Sequence, residues 1–245
     1  LFNSIQLMSN QSRSNVSRRN LIKYGGGIVG TSLVATVLGS NLVKPDEAVA
    51  KNDMTPDETL AKLMEGNKRF VNQKRKKPNQ TTVRLEDVAA GQAPFAAVLS
   101  CADSRVPVEI VFDRGVGDIF VVRDAGNIAA DESIGSLEFG TLVLGAKVLM
   151  VIGHQDCGAV ISTMKELEVP GKIGLILDNI KPAIANYLGK ADDKAAVKKA
   201  TEANVLFQIE QLKKSPVIAE LIANNKLKIV GGYSNLKTGE ITLIG

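Results

Sequence analysis

The chain is poor in the residues that build disulfide scaffolds and aromatic binding surfaces. Its 245 residues include two cysteines, one histidine and no tryptophan, and aromatic residues make up 4% of the sequence. Two cysteines exclude a small fold stapled by several disulfides. So few aromatic side chains leave little surface on which nucleic-acid bases could stack. A chain of this length can still bury a substantial apolar core.

A modest excess of basic residues does not change this interpretation. The formal net charge is +4 and the sequence pI is about 9.0. Much of the excess lies in the first 50 residues and in a short run at residues 74–77. That run ends at Pro78 and contains no aromatic residue, so it is typical of a solvated connection. We therefore expect no nucleic-acid partner.

The first 50 residues have the features of an export signal. Arg18 and Arg19 lie in a Ser-Arg-Arg-Asn-Leu-Ile-Lys segment that resembles the twin-arginine signal. An uncharged, mildly apolar stretch follows at residues 24–43, and Ala48-Val-Ala50 matches the small-x-small pattern of a cleavage site. Residues 24–43 are also long enough for an uncleaved membrane anchor, an alternative that their glycines weaken.

These features predict the domain organisation and the location. We expect residues 1–50 to be an export signal with an extension and residues 51–245 to form one domain. The protein is expected to be exported, to a periplasm or a thylakoid lumen. It would contact a membrane only transiently, through the signal.

The scarce cysteines and the histidine fall into two short motifs. These are Cys101-Ala-Asp103-Ser-Arg105 and His154-Gln-Asp-Cys157-Gly158. Structural zinc sites usually have four protein ligands, whereas catalytic sites use three and leave a position for water or substrate. Three candidate ligands in the whole chain therefore predict a catalytic zinc site. The alternatives are a packed core histidine and a disulfide between the cysteines.

From residue 94 onwards the sequence alternates strands and helices. Continuous apolar runs without polar alternation predict parallel strands that are covered on both faces. The predicted fold class is α/β, with a mainly parallel β-sheet flanked by helices. Strands are expected at residues 95–100, 119–123, 147–153, 226–232 and 240–244, and helices at 107–112, at 133–144, from His154 to about 167, and in two stretches between 171 and 223.

An N-terminal helical arm precedes this core. Thr55, Pro56 and Glu58 form the signature of a capped helix start. Apolar residues at helical spacing extend this helix to about Val71, and a second short helix is predicted at residues 85–90. The arm could pack on a neighbouring subunit.

The candidate ligands directly follow two predicted strands. Cys101 comes after the strand at 95–100, and His154 after the strand at 147–153. Ligands bind α/β sheets outside the carboxyl ends of the strands, so both loops are expected at the same edge. If the two strands are neighbours, the ligands come within reach of one zinc ion.

Taken together, the motifs resemble those of the β-class carbonic anhydrases. The resemblance covers about residues 55–245 and includes Ala-Gly-Asn at 125–127 between the two ligand motifs. It implies the fold of that family and the reversible hydration of carbon dioxide to bicarbonate and a proton. It also implies a homodimer or higher homo-oligomer that binds one Zn²⁺ per subunit through Cys101, His154 and Cys157, with Asp103 and Arg105 as a catalytic dyad.

Each of these groups has a physical reason to be there. Bound zinc lowers the pKa of water from 15.7 to about 7 in favourable sites, which makes water a nucleophile near neutral pH. Asp103 would accept a hydrogen bond from that water and orient it, and Arg105 would keep Asp103 ionised through a bidentate pair. Away from a ligand cysteine, the same Asp-Ser-Arg sequence would be an ordinary surface ion pair.

The resemblance extends to a substrate pocket. Gln92, Phe120 and Phe139 match pocket residues that contact substrate across the dimer interface in the plant-like branch, and Gly158 offers a backbone amide nearby. The two phenylalanines could instead be ordinary core aromatics. In another branch, the equivalent of Asp103 closes the zinc site at lower pH and a tryptophan occupies the position of Val98. The absence of tryptophan favours the plant-like, open form.

Two other functions remain compatible with these motifs. Some relatives with the same fold and site hydrolyse carbonyl sulfide or carbon disulfide. A non-catalytic zinc-binding or redox protein could also use Cys101 and Cys157.

Overall fold

The computed structural model describes residues 53–245, which form a five-stranded sheet with helices on both faces. The predicted export signal and the boundary after residue 50 lie outside the described residues and stay predictions. The strands are ordered β2-β1-β3-β4-β5, and only β5 is antiparallel to its neighbour. Their bounds are β1 Ala96–Ser100, β2 Ile119–Arg123, β3 Val148–His154, β4 Lys228–Ser234 and β5 Ile241–Ile244.

The central strands are buried along their whole length. Every residue of β1 and β3 is buried, as the continuous apolar runs predicted. Odd-numbered residues such as Leu99 and Leu149 face one apolar cluster, and even-numbered residues such as Val98 and Met150 face the other. Three parallel strand pairings and one antiparallel pairing, with helices on both faces, confirm the predicted α/β class with a mainly parallel sheet.

The helices pack on both faces of the sheet. Among the described residues, no helix combines the length and apolar character needed to cross a bilayer. The α-helices are α1 Pro56–Val71, α2 Thr82–Ala89, α3 Val108–Val111, α4 Asp131–Glu138, α5 Gly158–Met164, α6 Ile173–Ile180, α7 Lys194–Lys213 and α8 Pro216–Ala223, with 3-10 turns at Ala125–Asn127 and Lys181–Tyr187.

The predicted helix at 133–144 was wrong in two respects. It begins earlier, as α4, and it continues into a π-helical turn at Phe139–Val143. The ring of Phe120 lies against Gly140, where an added Cβ would be 2.7 Å from the ring. Glycine, which has no Cβ, leaves room for this ring, so the packing of the turn involves a residue from another element.

The two helical stretches expected between 171 and 223 are four segments. The 3-10 turn after α6 has Pro182 in its first turn, and proline cannot donate the backbone hydrogen bond that would continue α6. Asp193 caps α7 and Ser215 caps α8. The helix after His154 is also shorter than predicted, because Cys157 is extended and serves as the N-cap of α5.

The N-terminal arm packs partly on its own chain. Thr55 and Glu58 form the predicted capping box, and Leu63 of α1 is fully buried beneath the sheet. The side chain of Asn67 donates to the carbonyls of Val111 and Gly239 at 3.1 and 2.8 Å and accepts from the amide of Ile241 at 2.9 Å. Helix α1 is thereby tied to the segment that enters β5.

The second helix of the arm differs from the first. It begins at residue 82 instead of 85, because Thr81 caps it. Within this described helix no residue is buried, and Val83 and Leu85 are more than half exposed.

We expect Asn67→Ala to lower the free energy of unfolding by about 3 kcal/mol, because it leaves buried backbone groups without partners. Urea denaturation, at equal metal content and protein concentration, measures the change. The matched control is Lys68→Ala, an exposed neighbour on the same helix, expected to change stability by less than about 0.5 kcal/mol. Equal effects of the two substitutions would contradict the role assigned to Asn67.

Candidate metal centre

The candidate ligands converge where two neighbouring strands end. Strands β1 and β3 pair in parallel with Ser100 opposite Ile152, so Cys101 and His154 emerge at the same edge. Cys157 follows three residues after His154, at the start of α5. One ligand atom of each residue lies within 4.8 Å of the others, and all three residues are buried. Both cysteines are free thiols, which argues against the disulfide alternative.

The ring of His154 is oriented for metal binding. Its Nδ1 lies 2.9 Å from the carbonyl oxygen of Gln155, a contact that assigns the ring proton to Nδ1. The Gln155 amide in turn donates to the carbonyl of Ser234 on β4 at 2.9 Å. Nε2 is buried and has no hydrogen-bond partner among the described residues. A lone pair is therefore directed into the site, as in histidines that bind metal ions.

The two cysteine sulfur atoms lie within 4.8 Å of each other. The pKa of the Cys101 thiol is lowered to about 4, chiefly by the neighbouring Cys157 thiol and further by the backbone amide of Gly126, whose nitrogen lies 3.3 Å from Sγ. The pKa of Cys157 is raised, because the Cys101 thiolate holds its proton and burial opposes a second charge. A divalent cation would stabilise both thiolates, and the donor set is one that zinc prefers.

Asp103 and Arg105 form a bidentate ion pair beside these ligands. The guanidinium Nε and Nη2 atoms donate to the two carboxylate oxygens at 2.9 and 2.7 Å, and the Arg105 backbone amide adds a third bond at 2.9 Å. The Arg105 guanidinium holds the pKa of the Asp103 carboxyl well below its usual range. One carboxylate oxygen is 3.8 Å from Nε2 of His154. A negative charge therefore lies at the edge of the candidate metal position.

Arg123, the last residue of β2, was not among the predicted site residues. Its Nε donates to the carbonyl of Cys101 at 3.1 Å, and its Nη2 donates to the carbonyl of Asp103 at 2.6 Å. Arg123 thus holds the backbone on both sides of the Cys-x-Asp turn. An arginine at the end of a strand carries no local signal for this role, which depends on the pairing of β2 with β1.

A family model described as carbonic anhydrase matches residues 96–241, more than half of the chain. The chain belongs to the carbonic anhydrase family. It is 36% identical to carbonic anhydrase 2 of Mycobacterium tuberculosis over 186 residues, which cover 74% of this chain and 89% of that protein. It is 37% identical to the carbonic anhydrase of Mycolicibacterium smegmatis over the same length and coverage.

Solved structures agree with this assignment. A tetrameric β-carbonic anhydrase of Sordaria macrospora is 25% identical, has a TM-score of 0.62 and covers 77% of this chain and 98% of its own. The Coccomyxa β-carbonic anhydrase in complex with acetazolamide is 26% identical, with a TM-score of 0.61 and coverages of 76% and 86%. The fold is therefore that of the β-class carbonic anhydrases, and the chain is an enzyme of this class.

One of the four predicted pocket residues adjoins the metal centre within this carbonic anhydrase chain. Gly158 directly follows Cys157 and is exposed. Phe120 lies opposite Ala97 in the sheet, about 13 Å along the strand from Cys101 at the usual rise per residue. Phe139 is 41% exposed, with its ring centroid 6.5 Å from that of Phe120. Gln92 is exposed and precedes the amino end of β1, whereas the ligands lie at the carboxyl ends of β1 and β3.

We expect His154→Ala and Cys157→Ser each to lose most of the bound zinc, because the chain has no spare cysteine or histidine to replace them. Zinc per subunit, measured on purified protein, gives the result. Asp156→Asn is the matched control, since Asp156 is an exposed residue of the same loop with a positive φ that asparagine tolerates. Stoichiometric zinc in either ligand variant would contradict the assignment.

Proposed function

We propose that this chain catalyses the zinc-dependent, reversible hydration of carbon dioxide to bicarbonate and a proton. The observation that carries the proposal is the buried Cys101–His154–Cys157 group beside the Asp103–Arg105 pair. The carbonic anhydrases of the two mycobacteria, at 36% and 37% identity, support the same reaction. The substrate class is therefore a small molecule, carbon dioxide or bicarbonate.

In this proposal the two thiolates and Nε2 of His154 hold one zinc ion per subunit. Zinc supplies the Lewis acidity that makes water nucleophilic near neutral pH. Asp103 accepts a hydrogen bond from the reacting water. This bond orients the water so that a lone pair of the water oxygen points at the substrate carbon. Arg105 keeps Asp103 ionised and fixes the direction of the carboxylate, and Gly158 contributes a backbone amide near the substrate.

We further propose that the resting site is open, as in the plant-like branch. Asp103 is held by three hydrogen bonds from Arg105, which compete with any bond from its carboxylate to the metal. Val98 is fully buried in the core of the sheet, at the position where the other branch has tryptophan. Both observations support a site in which the fourth position is left to water or substrate.

The functional unit in this proposal is a homodimer or a larger homo-oligomer. Gln92 and Phe139 are exposed in the single chain, and Phe120 lies well away from Cys101 along the sheet. Pocket residues supplied by a second subunit would account for this separation. The Sordaria macrospora relatives, described as tetrameric, support an oligomer.

We expect Asp103→Ala to keep stoichiometric zinc but to lower kcat/KM for carbon dioxide by about a hundredfold, the usual contribution of a proton-handling group. Stopped-flow hydration and metal analysis on the same sample measure both quantities. The control Glu109→Ala removes an exposed carboxylate on the nearby helix α3. Loss of zinc in Asp103→Ala would make Asp103 a ligand instead. Wild-type hydrolysis of carbonyl sulfide without hydration of carbon dioxide would overturn the proposed reaction.

We also propose export by the twin-arginine route to a periplasm or thylakoid lumen. The paired arginines and the Ala48-Val-Ala50 sequence support it, and that route moves chains that have already folded around their cofactor. Loading of zinc before export would protect the thiolates in the destination compartment.

The substitution Arg18→Lys together with Arg19→Lys is expected to retain the precursor inside, because the arginine pair is read by a receptor. Fractionation and immunoblotting measure the location and the size of the product. Replacement of Lys23 by Arg, which leaves the pair intact, serves as the control. Normal export of the double variant would instead favour the general secretory route.

A further inference from the structure

Helix α7 carries a buried polar pair that the proposed reaction does not use. Asn204 and Gln208 are one helical turn apart and are 0% and 1% exposed. The residues that directly follow them, Val205 and Ile209, belong to the apolar core. Buried amide side chains lower stability unless their hydrogen bonds are made, so the partners of this pair indicate its role.

The partners lie on the segment that follows β2. Nδ2 of Asn204 donates to the carbonyl of Gly126 at 2.9 Å, and Oε1 of Gln208 accepts from the backbone amide of Ala129 at 2.9 Å. Nε2 of Gln208 donates to Oδ1 of Asn204 at 3.0 Å and lies 3.3 Å from the carbonyl of Asn179. The pair therefore forms hydrogen bonds with both ends of the segment 126–129.

Gly126 connects this pair to the metal centre. It has a φ of +74°, and an added Cβ would lie 2.5 Å from the side chain of Ile180, so glycine is required here. Its carbonyl accepts from Asn204, and its amide donates to Sγ of Cys101 at 3.3 Å. One residue thus separates Asn204 from a candidate metal ligand.

We propose that Asn204, braced by Gln208, is a positioning residue for the Cys101 ligand. By its hydrogen bond to the Gly126 carbonyl, Asn204 holds Gly126 in the orientation in which the Gly126 N–H points at the sulfur of Cys101. A hydrogen bond to a metal-bound thiolate withdraws electron density from the sulfur, and such partners orient ligands and tune the metal. The inference rests on the proposed zinc site, which Cys101 shares with His154 and Cys157.

The test uses the full chain with cobalt(II) in place of zinc, because cobalt–thiolate centres absorb in the near ultraviolet. In Asn204→Leu, we expect the sulfur-to-cobalt charge-transfer band to move to lower energy, since the sulfur loses its N–H donor. Zinc affinity, measured by competition with a chelator, is expected to fall about tenfold, at the low end for partners of metal ligands.

Two further variants make the test specific. Thr201→Val removes a buried hydroxyl from the same helix. That hydroxyl donates to the carbonyl of Val197 at 2.9 Å, within α7. The substitution matches Asn204→Leu as a buried polar-to-apolar change and is expected to leave the band unmoved. Gln208→Met removes the brace but leaves Asn204, so we expect a smaller shift in the same direction. That variant decides the question if Asn204→Leu does not fold.

The outcomes separate this inference from the proposed function. A wild-type chain that binds cobalt without a thiolate band overturns both. If the wild-type chain shows the band and neither Asn204→Leu nor Gln208→Met moves it more than Thr201→Val does, the positioning role is overturned. The zinc site is preserved in that case. A shift in the two amide variants that the threonine variant lacks supports the role, since a general loss of stability would not move the spectrum selectively.

Discussion

The parallel pairing of β1 with β3 is the constraint on which the rest of the site depends. Parallel neighbours end at the same edge, so Cys101 and His154 are brought together by backbone hydrogen bonds alone. Cys157 then needs only one turn of chain to reach them. Because both strands are buried on both faces, a slip of register would displace much of the core together with the ligands.

Around the ligands, backbone groups do most of the orienting. The carbonyl of Gln155 sets the tautomer of His154, the amide of Gly126 faces the sulfur of Cys101, and the backbone carbonyls of Cys101 and Asp103 accept from Arg123. A third apolar cluster, which includes both cysteines and Ile180, surrounds the sulfur atoms. In such a dry setting, each electrostatic contact is stronger than it would be in water.

Local patterns predicted the strands more accurately than the helices. Residues 119–123 are a strand as predicted, and β1 begins one residue later than predicted. Strand β3 is shifted by one residue at both ends, and β4 by two, towards the C-terminus. The helices between 171 and 223 were merged, although Pro182 and the caps at Asp193 and Ser215 are visible in the sequence. The π-helical turn after α4 had no such local signal, and the ring that packs on its Gly140 is that of Phe120, from another element.

The sequence by itself determined the donor set, since two cysteines and one histidine in two strand-end motifs leave few other chemistries. It also determined the capped first helix and the buried strands, because those signals lie within a few residues of one another. Only the tertiary structure decided which atoms face the ligands. The bond from Asn204 to Gly126 joins residues 78 positions apart, and the roles of Arg123 and Gln208 likewise depend on packing between distant elements. Hydrogen bonds of this kind follow from the relative placement of whole strands and helices, for which no short sequence pattern exists.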